Sequence, residues 1–277
     1  MAELPNTLIA VRVQAVGGKF LGNDIGGAAI SVRDAQSGEL LASGTTAGGS
    51  GNLSLVYSPN ASLATIATPF PKGPTVHRWV SAENTGSPAT QTSVFLAELF
   101  LDRARELLFE AYGPLGGLQS AHRTVAGLSV APGTNLSATP GLVLMLPGLL
   151  VQVMSPATHT QFASGSCTDL QLPLRANVAM MCGCPIDIGD ESPWQPSDFT
   201  VTASIRVVGG KEIDSVPLTF DASNTPSLFT GMYPIPNNTS KQTIFYEAIV
   251  TARQNSTSNT GTGTVTFFVD PPPSATA

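Results

Sequence analysis

One histidine and all three cysteines of this 277-residue sequence are the residues best suited to chemistry: His159, Cys167, Cys182 and Cys184. One imidazole and three thiolates complete the tetrahedral shell of a structural zinc site, and neighbouring methionine sulfur would also suit copper(I). However, the spacing of these residues matches no established C-x-x-C pattern. A metal site is therefore one of three interpretations that the sequence leaves open.

The other two interpretations concern disulfide bonding. If the backbone at Cys182 and Cys184 is an extended strand, both side chains point the same way, with Cα atoms near the upper limit for a disulfide. A bond from Cys167 to either residue is easier, and its closed loop of about 15 residues would stabilise the fold by roughly 3 kcal/mol. We favour a structural disulfide with one thiol left over; three reduced, buried thiols are the alternative.

Two further groups of residues are candidates for binding. The loop DIGDESPWQPSD offers carboxylate oxygens to calcium, although it lacks the EF-hand spacing and is also typical of a solvated turn. Its acidic residues are Asp187, Asp190, Glu191 and Asp198. Trp79 and Trp194 lie near loops, where an exposed indole stacks on a sugar ring and a buried one fills a core.

No catalytic residue can be assigned from sequence motifs. The sequence contains no G-x-S-x-G, no G-x-x-x-x-G-K, no H-E-x-x-H and no strand-linked G-x-G-x-x-G. It has only three histidines, His77, His122 and His159, which limits general-base chemistry. An enzyme with a pocket between two domains, using a histidine or aspartate as acid and base, stays an alternative.

Composition restricts the class of protein. A net charge of −6 with 13 basic residues argues against nucleic acid as a partner, because phosphates require clustered Lys and Arg. Charged residues are 12% of the chain, about half of the usual share, while glycine and proline are abundant. This combination predicts an all-β protein of many short strands.

The sequence predicts no transmembrane segment and no visible signal peptide. Its most apolar run, Gly141 to Met154, is too short for a bilayer and is interrupted by Pro147 and Gly148. We expect this run to form core strands near a domain junction. The N-terminus lacks a basic region followed by an apolar one, so the protein is cytosolic or the chain begins after a signal.

The first third of the chain alternates apolar and polar residues, with DAQSG placed as a hairpin turn. The string GGAAISVRDAQSGELLASGTTAGGSGNLSL resembles the carboxypeptidase-regulatory or transthyretin-like β-sandwich. It departs from that family at TTAGGSGN, which lacks the usual turn acid. The resemblance implies a fold and little about chemistry.

Two stretches follow with weaker patterns. Ser58 to Ser93 is expected to be long loops around one short strand, TVHRWVSA. The run VFLAELFLDRARELLFEAYG fits both a helical stripe and a strand pair with DRAR as its turn. Because the other elements are β, we favour a hairpin.

The last third of the chain has clear strand patterns. DFTVTASIRVVGGKEIDSVPLTFDA, PSLFTGMYPI and QTIFYEAIVTARQNSTSNTGTGTVTFFVD resemble bacterial immunoglobulin-like modules, which occur along surface proteins and secreted enzymes. The resemblance runs from about residue 198 to 270 and implies a β-sandwich without a binding specificity.

The resulting prediction is an all-β protein with two β-sandwich domains. Residues 1–133 form a transthyretin-like sandwich with long loops, residues 134–270 an immunoglobulin-like sandwich, and residues 271–277 a Pro-rich tail. The predicted function is non-catalytic: an extracellular, periplasmic or cell-surface module that contacts other protein subunits or itself. The alternatives are a metal-binding or redox accessory protein that uses the His/Cys cluster, and the enzyme noted above.

Overall fold

The computed structural model describes residues 4–51, 92–138, 140–163, 171–189, 192–223, 225–235 and 238–271. These residues form strands almost throughout, with short 3-10 helices at Asn23–Ile25, Leu115–Ser120 and Pro196–Asp198. The predicted all-β class is therefore confirmed. In the described part of the chain, no helix is both long and apolar enough to cross a membrane.

The chain divides into two compact units. Unit 1 comprises Met1–Gly148 and Met180–Cys184, and unit 2 comprises Leu149–Ala179 and Pro185–Ala277. This division differs from the sequence-based boundary at residue 133, because the strands at 135–136 and 142–146 pair with the first strand of the chain.

The described residues of unit 1 form nine strands: β1 (Asn6–Ala15), β2 (Ala29–Asp34), β3 (Leu40–Thr45), β4 (Ala47–Ser50), β5 (Thr92–Phe100), β6 (Arg105–Gly113), β7 (His122–Val130), β8 (Asn135–Leu136) and β9 (Leu142–Leu146). They form two sheets. The first sheet has the order β4-β5-β1-β8, with β9 also paired to β1, and the second has the order β3-β2-β6-β7. The turn predicted at DAQSG does join the paired strands β2 and β3.

The two sheets of unit 1 pack face to face. A Cβ built on Gly44 of β3 would lie 2.5 Å from the ring of Phe95 on β5, so a glycine is needed where this aromatic side chain crosses the core. Alternate residues of β1, among them Val11 and Val13, are fully buried in the same core. Unit 1 is therefore a β-sandwich.

The run that fitted both a helix and a hairpin forms two strands, but they are not a hairpin. β5 pairs with β1 and β4 in the first sheet, whereas β6 pairs with β2 and β7 in the second. The DRAR segment therefore crosses from one sheet to the other. The hairpin prediction was wrong because alternation specifies a strand but not which strand it pairs with.

Unit 2 contains the remaining strands: β10 (Leu149–Ser155), β11 (Thr160–Phe162), β12 (Gln171–Met180, whose last residue belongs to unit 1), β13 (Phe199–Val207), β14 (Glu212–Phe220), β15 (Leu228–Pro234), β16 (Ile244–Gln254) and β17 (Thr260–Val269). They follow the order β10-β12-β15-β14-β13-β16-β17-β11. β14 pairs with β13 over most of its length and with β15 through Thr219 and Phe220. This change of partner connects two layers, which makes unit 2 a second β-sandwich.

Alternating glycines in β17 allow the two layers of unit 2 to approach closely. A Cβ on Gly261 would lie 2.2 Å from the carbonyl oxygen of Leu149, and one on Gly263 would lie 2.6 Å from that of Val151. Side chains at these inward positions would push β10 away. The threonines between them lie on the opposite face of the strand.

We predict that Gly261→Ala destabilises the protein by about 1–3 kcal/mol, because the added methyl group overlaps the backbone of β10. The measurement is urea unfolding of the full chain. Gly127→Ala is the matched control: it is also a strand glycine, and its Cβ would meet only a Leu108 methyl carbon at 3.9 Å. Equal losses in the two variants would show that the close approach is unimportant.

Candidate functional site

Cys182 and Cys184 lie in a tight turn and not in an extended strand. The N–H of Met180 donates to the Cys184 carbonyl (3.0 Å), and the N–H of Gly183 donates to the Met180 carbonyl (2.8 Å). Gly183 has a φ of 77°, which a residue without a Cβ adopts at little cost. Because the backbone here is a turn, the two sulfurs do not align along one face of a strand.

Of the two cysteine sulfurs, that of Cys182 is the better hydrogen-bond acceptor. It is fully buried and accepts the backbone N–H of Lys19 at 3.4 Å. Burial opposes ionisation, but hydrogen bonds from the Cys184 thiol and from the N–H groups of Lys19 and Cys184, together with the Lys19 charge, lower the pKa of Cys182. The pKa of Cys184 is raised, first by its hydrogen bond to Cys182 and then by burial. Cys182 is thus the thiol that ionises first.

The predicted His/Cys metal set is only partly visible. Cys182 and Cys184 are free thiols, and Cys167 lies outside the described residues. His159 belongs to unit 2, where it is exposed in the turn before β11 and its N–H donates to the Thr266 carbonyl (2.9 Å). In the described ranges, no three His, Cys, Asp or Glu residues are grouped to hold a metal ion. A disulfide from Cys167 stays a prediction.

The predicted calcium ligand Asp198 has a structural role. Its carboxylate accepts the N–H (2.9 Å) and the hydroxyl (2.5 Å) of Ser256 and the side-chain amide of Gln254 (3.0 Å), which anchors the β16–β17 loop. Asp187 accepts the N–H of Ile188 at 2.7 Å. Asp190 and Glu191 lie outside the described residues.

Trp194, a predicted stacking residue, is only 4% exposed and does not present its ring to solvent. Its carbonyl accepts the N–H of Asp187 at 3.1 Å, so it packs beneath the acidic loop. This burial corrects the interpretation of Trp194 as a sugar-stacking residue. Trp79, the other predicted stacking residue, lies outside the described residues, as does His77.

A charged cluster that sequence motifs did not reveal lies where DAQSG meets DRAR. The Asp34 carboxylate accepts the N–H groups of Gln36 (2.9 Å) and Ser37 (2.8 Å) and pairs with Arg105 (3.3 Å). Arg105 also pairs with Asp102 at 2.9 Å. The hydrogen bond from the Ser37 N–H contributes most to lowering the pKa of Asp34, against the opposing effect of burial. Asp34, the acid at the start of the turn, was the one feature of the sequence that pointed to this cluster.

Large apolar side chains are exposed on a sheet face of unit 1. On β5, Phe95, Ala97 and Leu99 point inward, and the alternate residues Leu96 and Phe100 are 50% and 61% exposed. Alternation along the strand puts these two exposed side chains on the same outer face. Glu98 lies between them on this face, and its carboxylate accepts the side-chain amide of Asn6, the residue of β1 opposite Phe100 (2.7 Å).

Unit 2 has a second exposed apolar group. Phe245 on β16 is 53% exposed, and its ring lies 5.6 Å from that of Phe268 on β17. Val208 joins them, since its N–H donates to the Phe245 carbonyl at 2.9 Å and its side chain is also exposed. These three residues form an apolar cluster at one end of the outer sheet face.

Comparisons with known proteins give little further information. No family model matches the sequence, and no curated protein is similar to it. Among solved structures, the FN1-FN3 domains of chicken CNTN1 are similar at 11% identity and a TM-score of 0.25, over 98% of this chain and 63% of that one. Fibronectin(III)-like modules of Clostridium thermocellum CbhA are similar at 12% identity and a TM-score of 0.26, over 96% and 94% of the two chains.

The chain thus spans less than two thirds of the CNTN1 structure. Both neighbours consist of fibronectin-type modules. TM-scores this low carry no argument about the chain, and its function has to be inferred from its own residues.

We predict that Asp34→Asn destabilises the protein at neutral pH and flattens its acid unfolding. The folded pKa of Asp34 lies below the ordinary value of about 3.9. The ionised carboxylate therefore stabilises the fold above that value, and this contribution is lost as the pH falls through the folded pKa. The measurement is the thermal midpoint of both proteins from neutral pH into the acid range.

The control for this experiment is Asp214→Asn, an exposed residue that accepts only the N–H of the next residue at 2.8 Å. We expect its profile to follow that of the wild type. Parallel profiles for wild type and Asp34→Asn would contradict a stabilising role for the Asp34 charge.

Proposed function

We propose that the protein is a non-catalytic β-sandwich module that mediates protein contacts or assembly. The observation that carries the proposal is the exposure of large apolar side chains on sheet faces of both units, headed by Phe100 and Phe245. Exposed aromatic side chains on a regular sheet are the kind of anchor that protein interfaces bury.

The polar side chains support the same proposal. Three carboxylates bind the backbone of turns: Asp34 holds residues 36 and 37, Asp198 holds Ser256, and Asp221 holds Ser223. These contacts stabilise loops, although Asp34 and Glu106 line one surface cavity and Asp187 and Asp221 line another. Because the carboxylates are bonded to loops, we favour a binding module over the enzyme alternative.

We further propose that unit 1 is a transthyretin-like module and unit 2 an immunoglobulin-like module. The sequence resemblances described above support this assignment, and two face-to-face layers in each unit are compatible with it. We also propose a location outside the cytoplasm, at the cell surface or in the periplasm. The support is the resemblance of unit 2 to modules of surface proteins.

The proposal predicts that the purified chain self-associates or recovers a stoichiometric protein partner. We expect Phe100→Asp to weaken recovery of that partner about tenfold, since the charge replaces an exposed apolar anchor. Sedimentation over a range of concentrations and quantitative pull-down provide the measurement. Thr262→Asp is the control, because this exposed threonine lies away from the apolar residues. A wild-type chain that is monomeric throughout and recovers no partner would refute the proposal.

A second candidate function rests on the Cys182–Cys184 turn. Two adjacent sulfurs, one with a lowered pKa, offer a soft site for zinc or copper(I) or a dithiol for redox chemistry. Cys167 and His159 were the other ligands predicted from the sequence, and the test is directed at the two described cysteines.

For this candidate we expect about one equivalent of zinc or copper in protein purified without chelator, lost in Cys182→Ser and Cys184→Ser. Free thiols are counted in the same samples, native and denatured, with and without reductant. His122→Gln, at an exposed histidine outside the set, is the control. Less than about a tenth of an equivalent of metal, with all thiols reduced, would remove this candidate.

A further inference from the structure

β7 is a long and regular edge strand. β7 pairs with β6 without a register shift, from Arg105↔Val130 to Gly113↔His122. It is the last strand of the second sheet, and no described residue pairs with its other side. An edge of this kind presents a row of N–H and C=O groups to any extended strand that approaches.

Three other edges in the described part of unit 1 are protected, whereas β9 is a five-residue edge that pairs with β1 without a register shift. β3 meets its neighbour with a register shift, β4 is four residues long and also shifted, and β8 has two residues. Short strands, bulges, lysines and prolines are the usual means of blocking edge pairing. β7 has nine residues, HRTVAGLSV, with no lysine and no proline.

We propose that β7 pairs antiparallel with β7 of a second copy of this chain, in the register centred on Ala126. This inference rests on the proposed contact function and adds to it a self-association edge that is separate from the apolar faces at Phe100 and Phe245. The register is the one that pairs all nine residues of the strand. It places Val125 opposite Gly127, Arg123 opposite Ser129, and Ala126 opposite its own symmetry equivalent.

The shape of the outer sheet face at β6 and β7 supports this register. Val125 and Leu108 are exposed by 51% and 39%. Leu108 is the neighbour of Gly127 within the sheet, and the space above Gly127 is open, since an added Cβ would meet only Leu108 at 3.9 Å. Across the twofold axis, Val125 of one copy lies over Gly127 of the other and reaches Leu108. Two exposed apolar side chains thereby cover each other.

The charges are also compatible. Arg123 faces Ser129 of the other copy, and the Ser129 hydroxyl donates to Glu106 of its own chain. Arg123 therefore lies opposite a serine next to a carboxylate, and no like charges face each other across the twofold axis. Within its own chain, Arg123 is held over the ring of Tyr112, at 5.8 Å, and beside Glu110. Both residues are on β6, so the guanidinium leans away from the free edge of β7.

The decisive experiment is register-specific crosslinking of the full chain. In the proposed register the two Ala126 Cα atoms lie about 4.5–5.5 Å apart, within disulfide range. The matched controls Thr124→Cys and Leu128→Cys, on the same face of β7, put the equivalent atoms roughly 13 Å apart. We expect Ala126→Cys to form a covalent dimer at least about tenfold faster than either control. All three variants keep the native thiols, so crosslinking through those thiols contributes equally to each rate.

Sedimentation provides the second measurement. We expect a concentration-dependent dimer for the wild type and at least about a tenfold weaker dimer for Val125→Lys, because a lysine at the edge blocks pairing. Met232→Lys, at a methionine that is 55% exposed in unit 2, is the control and should leave the dimer intact. Thermal midpoints check that each variant is folded.

The outcomes separate this inference from the proposed function. Equal crosslinking rates for the three cysteine variants, or a dimer that survives Val125→Lys, would overturn the β7 pairing while leaving a contact function on another surface. A chain that is monomeric at every concentration would also overturn it. Only the additional absence of a partner in pull-down would refute the proposed function as well.

Discussion

The pairing of β1 on both of its sides is the constraint on which most of unit 1 depends. β5 occupies one side antiparallel, and β8 and β9 occupy the other in parallel. Because β5 is used in the first sheet, the chain has to cross to the second sheet to form β6, and β7 then becomes the edge of that sheet. Because β9 returns to β1, unit 1 extends to Gly148. The end of β1 also leads into the turn whose Lys19 N–H reaches Cys182.

The polar groups of this protein are used mainly to hold turns. Asp34 and Asp198 each satisfy backbone N–H groups that no strand pairs, which is the usual requirement for ordered loops in a β-sandwich. Arg105 joins two such turns by pairing with Asp34 and Asp102. In the described part of the chain, the groups proposed to meet a partner are apolar side chains on sheet faces and the edge of β7. Both are suited to protein contacts.

The two described cysteines illustrate how one backbone angle changes the chemistry. In an extended strand, the side chains of Cys182 and Cys184 would stand side by side along one face. With Gly183 in the left-handed region, the chain turns back and brings the Cys184 thiol to the Cys182 carbonyl, to which it donates at 4.0 Å. The resulting asymmetry makes Cys182 easier to ionise and Cys184 harder.

The sequence by itself determined the all-β class, the strands of the last third and the turn at DAQSG, because alternation and turn residues act over a few neighbouring positions. Only the tertiary structure decided that β5 and β6 belong to different sheets, and that Arg12 and Gln14 are buried, where they donate to Pro140 and Gly18. It also decided that Trp194 is covered and that the cysteines form a turn. The physical reason is that strand pairing and burial depend on residues far apart in the chain, whose contacts no local pattern encodes.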